Sequence, residues 1–141
     1  MRGQDADVRA ERERFFERMV TAFQEQDYEA LERAMRDDIV LTVPGSSPLS
    51  GTHRGRDEVG RFLAASRRAL DPGSRPASFR HTADEMVATN EVGVHGPVHD
   101  VRMRLEVRVR FDEDGRAASA SIEPADVGLF DHVLATAIGP P

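Results

Sequence analysis

VRMRLEVRVRF, residues 101–111, alternates without a break: Met103, Leu105, Val107, Val109 and Phe111 hold one parity, and Arg102, Arg104, Glu106, Arg108 and Arg110 the other. Side chains on a strand project to opposite faces with period two, so this run predicts a strand with one buried and one polar face. Asp112-Glu113-Asp114-Gly115 follows as a turn, and AASASIE, residues 117–123, returns as the second arm of a hairpin. A two-residue connection would set Val109 against Ala118 and Leu105 against Ile122, turning Ala118, Ala120 and Ile122 inward. A slip of one residue would instead turn Ser119, Ser121 and Glu123 inward. Hydrophobicity favours the first register. In the second, Glu123 becomes a carboxyl in apolar surroundings and a candidate base. Both registers leave mostly small inward side chains, and therefore volume for a ligand.

Outward from this hairpin, Pro124 ends the strand. Residues 126–137 then read as a helix with Val127, Phe130, Val133, Leu134 and Ala137 inward. Toward the N-terminus, residues 8–23 place Phe15, Phe16, Met19, Val20 and Phe23 on one helical stripe. Asp27 is an N-cap for a second helix, DYEALERAMRD, with Tyr28, Leu31 and Met35 apolar. IVLTV, residues 39–43, is a β-branched strand ended by Pro44-Gly45. A third helix spans about residues 56–70, stopped by Asp71-Pro72-Gly73. Helices first, then a mostly antiparallel sheet, then a terminal helix define an α+β class. Residues 8–138 read as one domain, with a polar segment 1–7 expected to fray.

The chain has 141 residues, a formal net charge of −6, no cysteine and no lysine; all nineteen basic residues are arginine. Absent cysteine removes disulfides, thiolate nucleophiles and cysteine metal sites, and fits a cytoplasmic protein. Absent lysine removes Schiff-base chemistry and a P-loop lysine. The negative balance argues against nucleic acid as a partner, since phosphate contacts need clustered positive charge. The apolar runs are too short to span a membrane, and the N-terminus lacks a signal-peptide core.

VPGSSPLSGTHRGRDEV, residues 43–59, puts a histidine and two arginines on what reads as a strand-to-helix loop. His53 at a pocket mouth would exchange protons near neutrality. Arg54 and Arg56 would hold a carboxylate or enolate oxygen, or pair with neighbours such as Asp57. GTHRGRDE lacks the Gly-Lys-Ser/Thr ending of a phosphate loop. His95 and His99 share a side of an extended segment and lie roughly 13 Å apart at strand rise, a separation that a bend at Gly96-Pro97 would shorten, and no third ligand is in register, so a metal site is not the expectation. His81 sits on a strand of undetermined facing, where a half-buried structural histidine is the plain reading.

Two segments, DDIVLTVPGSSPLSGTHRGRDEVGRFL (37–63) and RVRFDEDGRA (108–117), closed by a short helix after Pro124-Ala125-Asp126, resemble the nuclear transport factor 2-like superfamily, in its SnoaL-like, ketosteroid-isomerase-like branch. The resemblance implies a curved sheet wrapped around helices into a cone with a ligand pocket in its open end. Steroid isomerases of that branch surround the pocket with a tyrosine, a base aspartate and a protonated acid. The matching positions here are Met19, Val43 and Val107. Epoxide hydrolases of the fold use an arginine and an aspartate where Leu105 and Val107 stand.

The resemblance therefore implies an isomerase or cyclase of another kind, possessing no cofactor or metal and acting on a hydrophobic small molecule, as in bacterial secondary metabolism. His53 would transfer the proton, with Arg54 or Glu123 assisting. Met19, Phe23, Val43, His81, Met103, Leu105, Val107 and Ile122 would line the pocket. A homodimer through the outer sheet face is the partner expected. A binding protein without chemistry, or a protein-interaction module using the sheet face, are the alternatives.

Overall fold

The computed structural model describes residues 2–72, 78–94 and 101–138. Helix α1 (Arg2–Glu25) extends back through residues 2–7, the segment expected to fray. Its inward stripe follows the spacing of its apolar residues: Phe15 and Phe16 are buried, with Met19 and Val20 packed partly against the core. Phe15 meets Phe111 edge-on at 5.2 Å between centroids, and Phe16 meets Phe79 at 5.9 Å, an arrangement that ring quadrupoles favour.

Asp27 caps α2 (Tyr28–Arg33), its side chain accepting from the Ala30 N–H. The helix ends earlier than its sequence predicts, because Met35 already opens strand β1 (Met35–Val43). The Ala34 carbonyl accepts from the Ala117 N–H and the Met35 carbonyl from Arg56 Nε, so partners from elsewhere in the chain replace those of a continuing helix. GTHR, expected to be loop, forms strand β2 (Gly51–Arg54), antiparallel to β1 with His53 opposite Leu41. Helix α3 (Gly55–Ser66) follows directly, and Glu58 accepts from the Arg54 N–H at its start. It stops short of the expected Leu70, which instead opens β3 (Leu70–Pro72).

The remaining strands are β4 (Ser78–His81), β5 (Glu85–Val94), β6 (Val101–Phe111) and β7 (Ala117–Pro124), followed by helix α4 (Val127–Ile138). Strands β1 to β7 form one curved seven-stranded sheet in the order β2-β1-β7-β6-β5-β3, with β4 also on β5. All pairings are antiparallel except β1 with β7. Val107 faces Ile122 and Val109 faces Ala120, two residues from the expected register. The reason is a longer connection: the Asp112 carboxylate accepts from the N–H groups of Asp114 and Arg116, and a bulge follows between Arg110 and Phe111. A shift of two leaves the faces unchanged, so Ala120 and Ile122 point inward, while Ala118 falls at the bulge.

In α4, Phe130, Val133 and Leu134 are buried as expected, whereas Val127 is 41% exposed. It occupies the first turn, ahead of the packed face. On the outer sheet face, Arg108 bridges Glu85 and Glu123, Arg110 bridges Glu85 and Asp84, and Arg80 pairs with Glu106. The guanidinium of Arg108, and next that of Arg110, hold the Glu85 carboxyl below the usual carboxylate range. The arginines of 102–110 are thus largely neutralised within the sheet.

Candidate ligand cavity

Between the helices and the concave face of the sheet lies a cavity of about 200 Å³. Alternation brings Leu105, Val107 and Val109 of β6 to its wall, and their cross-strand neighbours Ala120 and Ile122 extend that wall across β7. Helix α1 supplies Phe16, Met19 and Phe23 at helical spacing, and α3 adds Phe62, Leu63 and Ser66. The polar lining side chains are Asn90 of β5 and Ser66. Ser66 is buried and its hydroxyl donates to the Leu63 carbonyl. Asn90 stands opposite Leu105, half-buried.

Of the residues expected to line a pocket, Met19, Phe23, Leu105, Val107 and Ile122 do so. Val43 and Met103 are instead packed in the core at 2% and 4% exposure. His81 lies beneath α1, its Nε2 donating to Glu13 at 2.6 Å while its Nδ1 is buried without a partner. It faces inward with Phe79 and opposite Met86, away from the cavity wall.

The residues given chemical roles lie elsewhere. His53 Nε2 donates to the Leu49 carbonyl at 2.7 Å. A carbonyl only accepts, so this nitrogen carries the hydrogen. The ring packs against Phe62 at 5.0 Å, and Phe62 rather than His53 meets the cavity. Arg54 is exposed at the start of α3. Arg56 joins Asp37 at 2.6 Å and the Met35 carbonyl, bracing the start of β1. Glu123 is exposed on the outer face opposite Glu106, paired with Arg108. None of these four side chains lines the cavity. His95 and His99 lie outside the described residues, and among the described residues no cluster of metal-binding side chains occurs. No helix is long and apolar enough to cross a membrane among those residues.

The loop before β2 has an anchor that sequence reading missed. Asp131 of α4 accepts from the N–H groups of Ser46 and Ser47 and from the hydroxyl of Ser46. These bonds, the Ser46 N–H foremost, hold the Asp131 carboxyl below its usual range. The serines of PGSSPLS therefore fasten the loop to the last helix. Asn90 was missed as well; its signal was available in EMVATNEV, where it shares parity with Met86, Ala88 and Val92.

The SnoaL-like domain matches residues 16–120, the greater part of the chain. This chain belongs to the SnoaL-like domain family. Its fold, nuclear transport factor 2-like, recurs in solved structures. A protein of unknown function with a cystatin-like fold from Xanthomonas campestris is 23% identical, with a TM-score of 0.74 over 85% of this chain and 95% of that one. A nuclear transport factor 2-like protein from Burkholderia xenovorans is 16% identical, with a TM-score of 0.74 over 89% and 96%. TerC, co-crystallised with polyporic acid, is 18% identical, with a TM-score of 0.72 over 86% and 95%. No curated protein matches significantly. The SnoaL-like family membership and the shared fold leave the chemistry to the cavity itself.

Proposed function

We propose that this SnoaL-like protein binds an apolar small molecule inside its cone. The observation that carries this reading is the cavity wall, which among the described residues is apolar except for Asn90 and Ser66 and has no titratable side chain. Filling an apolar cavity with an apolar guest removes the guest's surface from water and gives the wall side chains new dispersion contacts. TerC, crystallised with polyporic acid, supports a small-molecule role for the shared fold.

Turnover as a cofactor-independent isomerase or cyclase is the second reading, favoured by family membership. With His53, Arg54 and Glu123 off the wall, such a reaction would have to draw on orientation in a shaped cavity rather than on a positioned acid or base. Methyl-labelled methionine gives a direct test, because Met19 and Met35 line the cavity. Apolar compounds are expected to shift those two methyl resonances and leave the compound's mass and retention unchanged. Shifts confined to other methionines, or none with any apolar compound, would remove the binding reading. A product of altered retention at unchanged mass would favour the isomerase or cyclase.

A further inference from the structure

We infer that the cavity selects a neutral molecule of one or two rings whose single hydrogen-bonding group meets the Asn90 side-chain amide; this rests on the binding reading above. Size sets the first limit. A dry apolar cavity of about 150 Å³ accepts benzene, so the roughly 200 Å³ here suits one ring or two fused rings, not an extended polycycle. Charge sets the second. Among the described residues no arginine or histidine lines the wall, and an ionised carboxylate moved against those residues would lose hydration that they do not replace. Arg67, near the Phe23 end, directs its terminal nitrogens to the carbonyls of Leu70 and Gln24; its Nε is buried without a partner among the described residues, but Arg67 is not among the residues that line the cavity.

Polarity sets the third limit. Ser66 has already committed its hydroxyl to the Leu63 carbonyl. Asn90 has no hydrogen-bond partner for its amide among the described residues. An amide offers both a donor NH2 and an acceptor oxygen, so it satisfies a carbonyl or a hydroxyl equally. A ligand lacking such a group would cover the amide without replacing its water, which penalises binding. Placed on the strand wall opposite Leu105, the amide fixes which end of the guest faces β5.

The test is calorimetric titration of the full chain with 2-naphthol, naphthalene and 2-naphthoate, repeated on Asn90→Leu. The wild type is expected to bind 2-naphthol about tenfold more tightly than naphthalene, with 2-naphthoate undetectable. Asn90→Leu should lose that preference, 2-naphthol weakening about tenfold and naphthalene holding or improving. Should the leucine variant fail to fold, Asn90→Ala serves the same comparison. Equal binding of 2-naphthol and naphthalene by the wild type, or an equal effect of the substitution on both, overturns the role of Asn90 and leaves the apolar-binding reading intact. Binding of 2-naphthoate as tight as that of 2-naphthol overturns the neutral-ligand limit. If none of the three binds at the cavity, the binding reading itself fails along with this inference.

Discussion

Asp131 shows how much a single carboxylate organises here. It joins α4 to the loop before β2 through two backbone N–H groups and a serine hydroxyl, and these donors depress its pKa. Because the folded value lies below the unfolded one, the contribution to stability is complete above the unfolded pKa, near 3.9, and is lost as pH falls through the folded value. Asp131→Asn puts a donor NH2 where the Ser46 and Ser47 N–H groups need an acceptor. The melting temperature of the variant should therefore fall below that of wild type at pH 7, and the gap should narrow steadily below about pH 4. A gap that stays constant down to pH 2 would remove the charge from this account. His53 makes a contrasting case. Its residue type and position beside the arginines read as chemistry, but its partners are the Leu49 carbonyl and the Phe62 ring. His53→Ala should cost about 1–2 kcal/mol of stability and leave the affinity for an apolar guest within about twofold, by denaturant melts and titration. A tenfold loss of affinity with unchanged stability would return His53 to the site. Nothing in one sequence distinguishes a histidine behind a phenylalanine from one beside it, since that depends on how Phe62 of α3 packs over His53 of β2.

Among the elements, β6 was legible because strict alternation of apolar residues with arginine and glutamate leaves one solution. β7 was legible only in its facing. Its hydrophobic parity chose the inward set, while the register depended on Asp112 bonding to two N–H groups beyond it, a contact that no hydropathy pattern contains. β2 was missed for a related reason: Gly51-Thr52-His53-Arg54 has little strand character of its own and becomes a strand by pairing with the open edge of β1. The turn that brings it back depends on Gly45, whose φ is +100°. A Cβ added there would collide with the Asp131 carboxylate. Gly45→Ala should thus cost about 2 kcal/mol or more, from left-handed strain of about 1–2 kcal/mol plus displacement of Asp131. Amide exchange is the informative readout. Protection should fall at residues 46–54 and at the start of α4 together, and a loss limited to the loop would show that α4 does not depend on it.

At the scale of the whole molecule, the cone balances a packed base against an open interior. Its α+β class and enclosing sheet were readable from the order of patterned segments, and so was the apolar character of β6 and β7. The absence of acid and base groups from the wall among the described residues was partly readable too, at Val107 and Met19. The cavity volume was not, because it depends on how far α1 and α3 stand from the sheet, and that distance is a property of the assembled core. Such a void has an energetic consequence. Unfilled apolar volume forfeits dispersion contacts, and proteins that keep it sacrifice stability that simple filling would recover. Ala120 tests this directly. It stands opposite Val109 and beside Leu41, pointing into the cavity from the middle of the sheet. A β-branched replacement suits its strand backbone. Ala120→Ile should raise the melting temperature of the unliganded protein by a few degrees, for a gain of about 1 kcal/mol. It should also abolish the further rise that an apolar guest gives the wild type, about 2.7 kcal/mol of stabilisation at a hundredfold excess over Kd. If the variant is destabilised and still takes the guest, the ligand lies elsewhere. If it is stabilised and binds nothing, the cavity is kept open for what it holds.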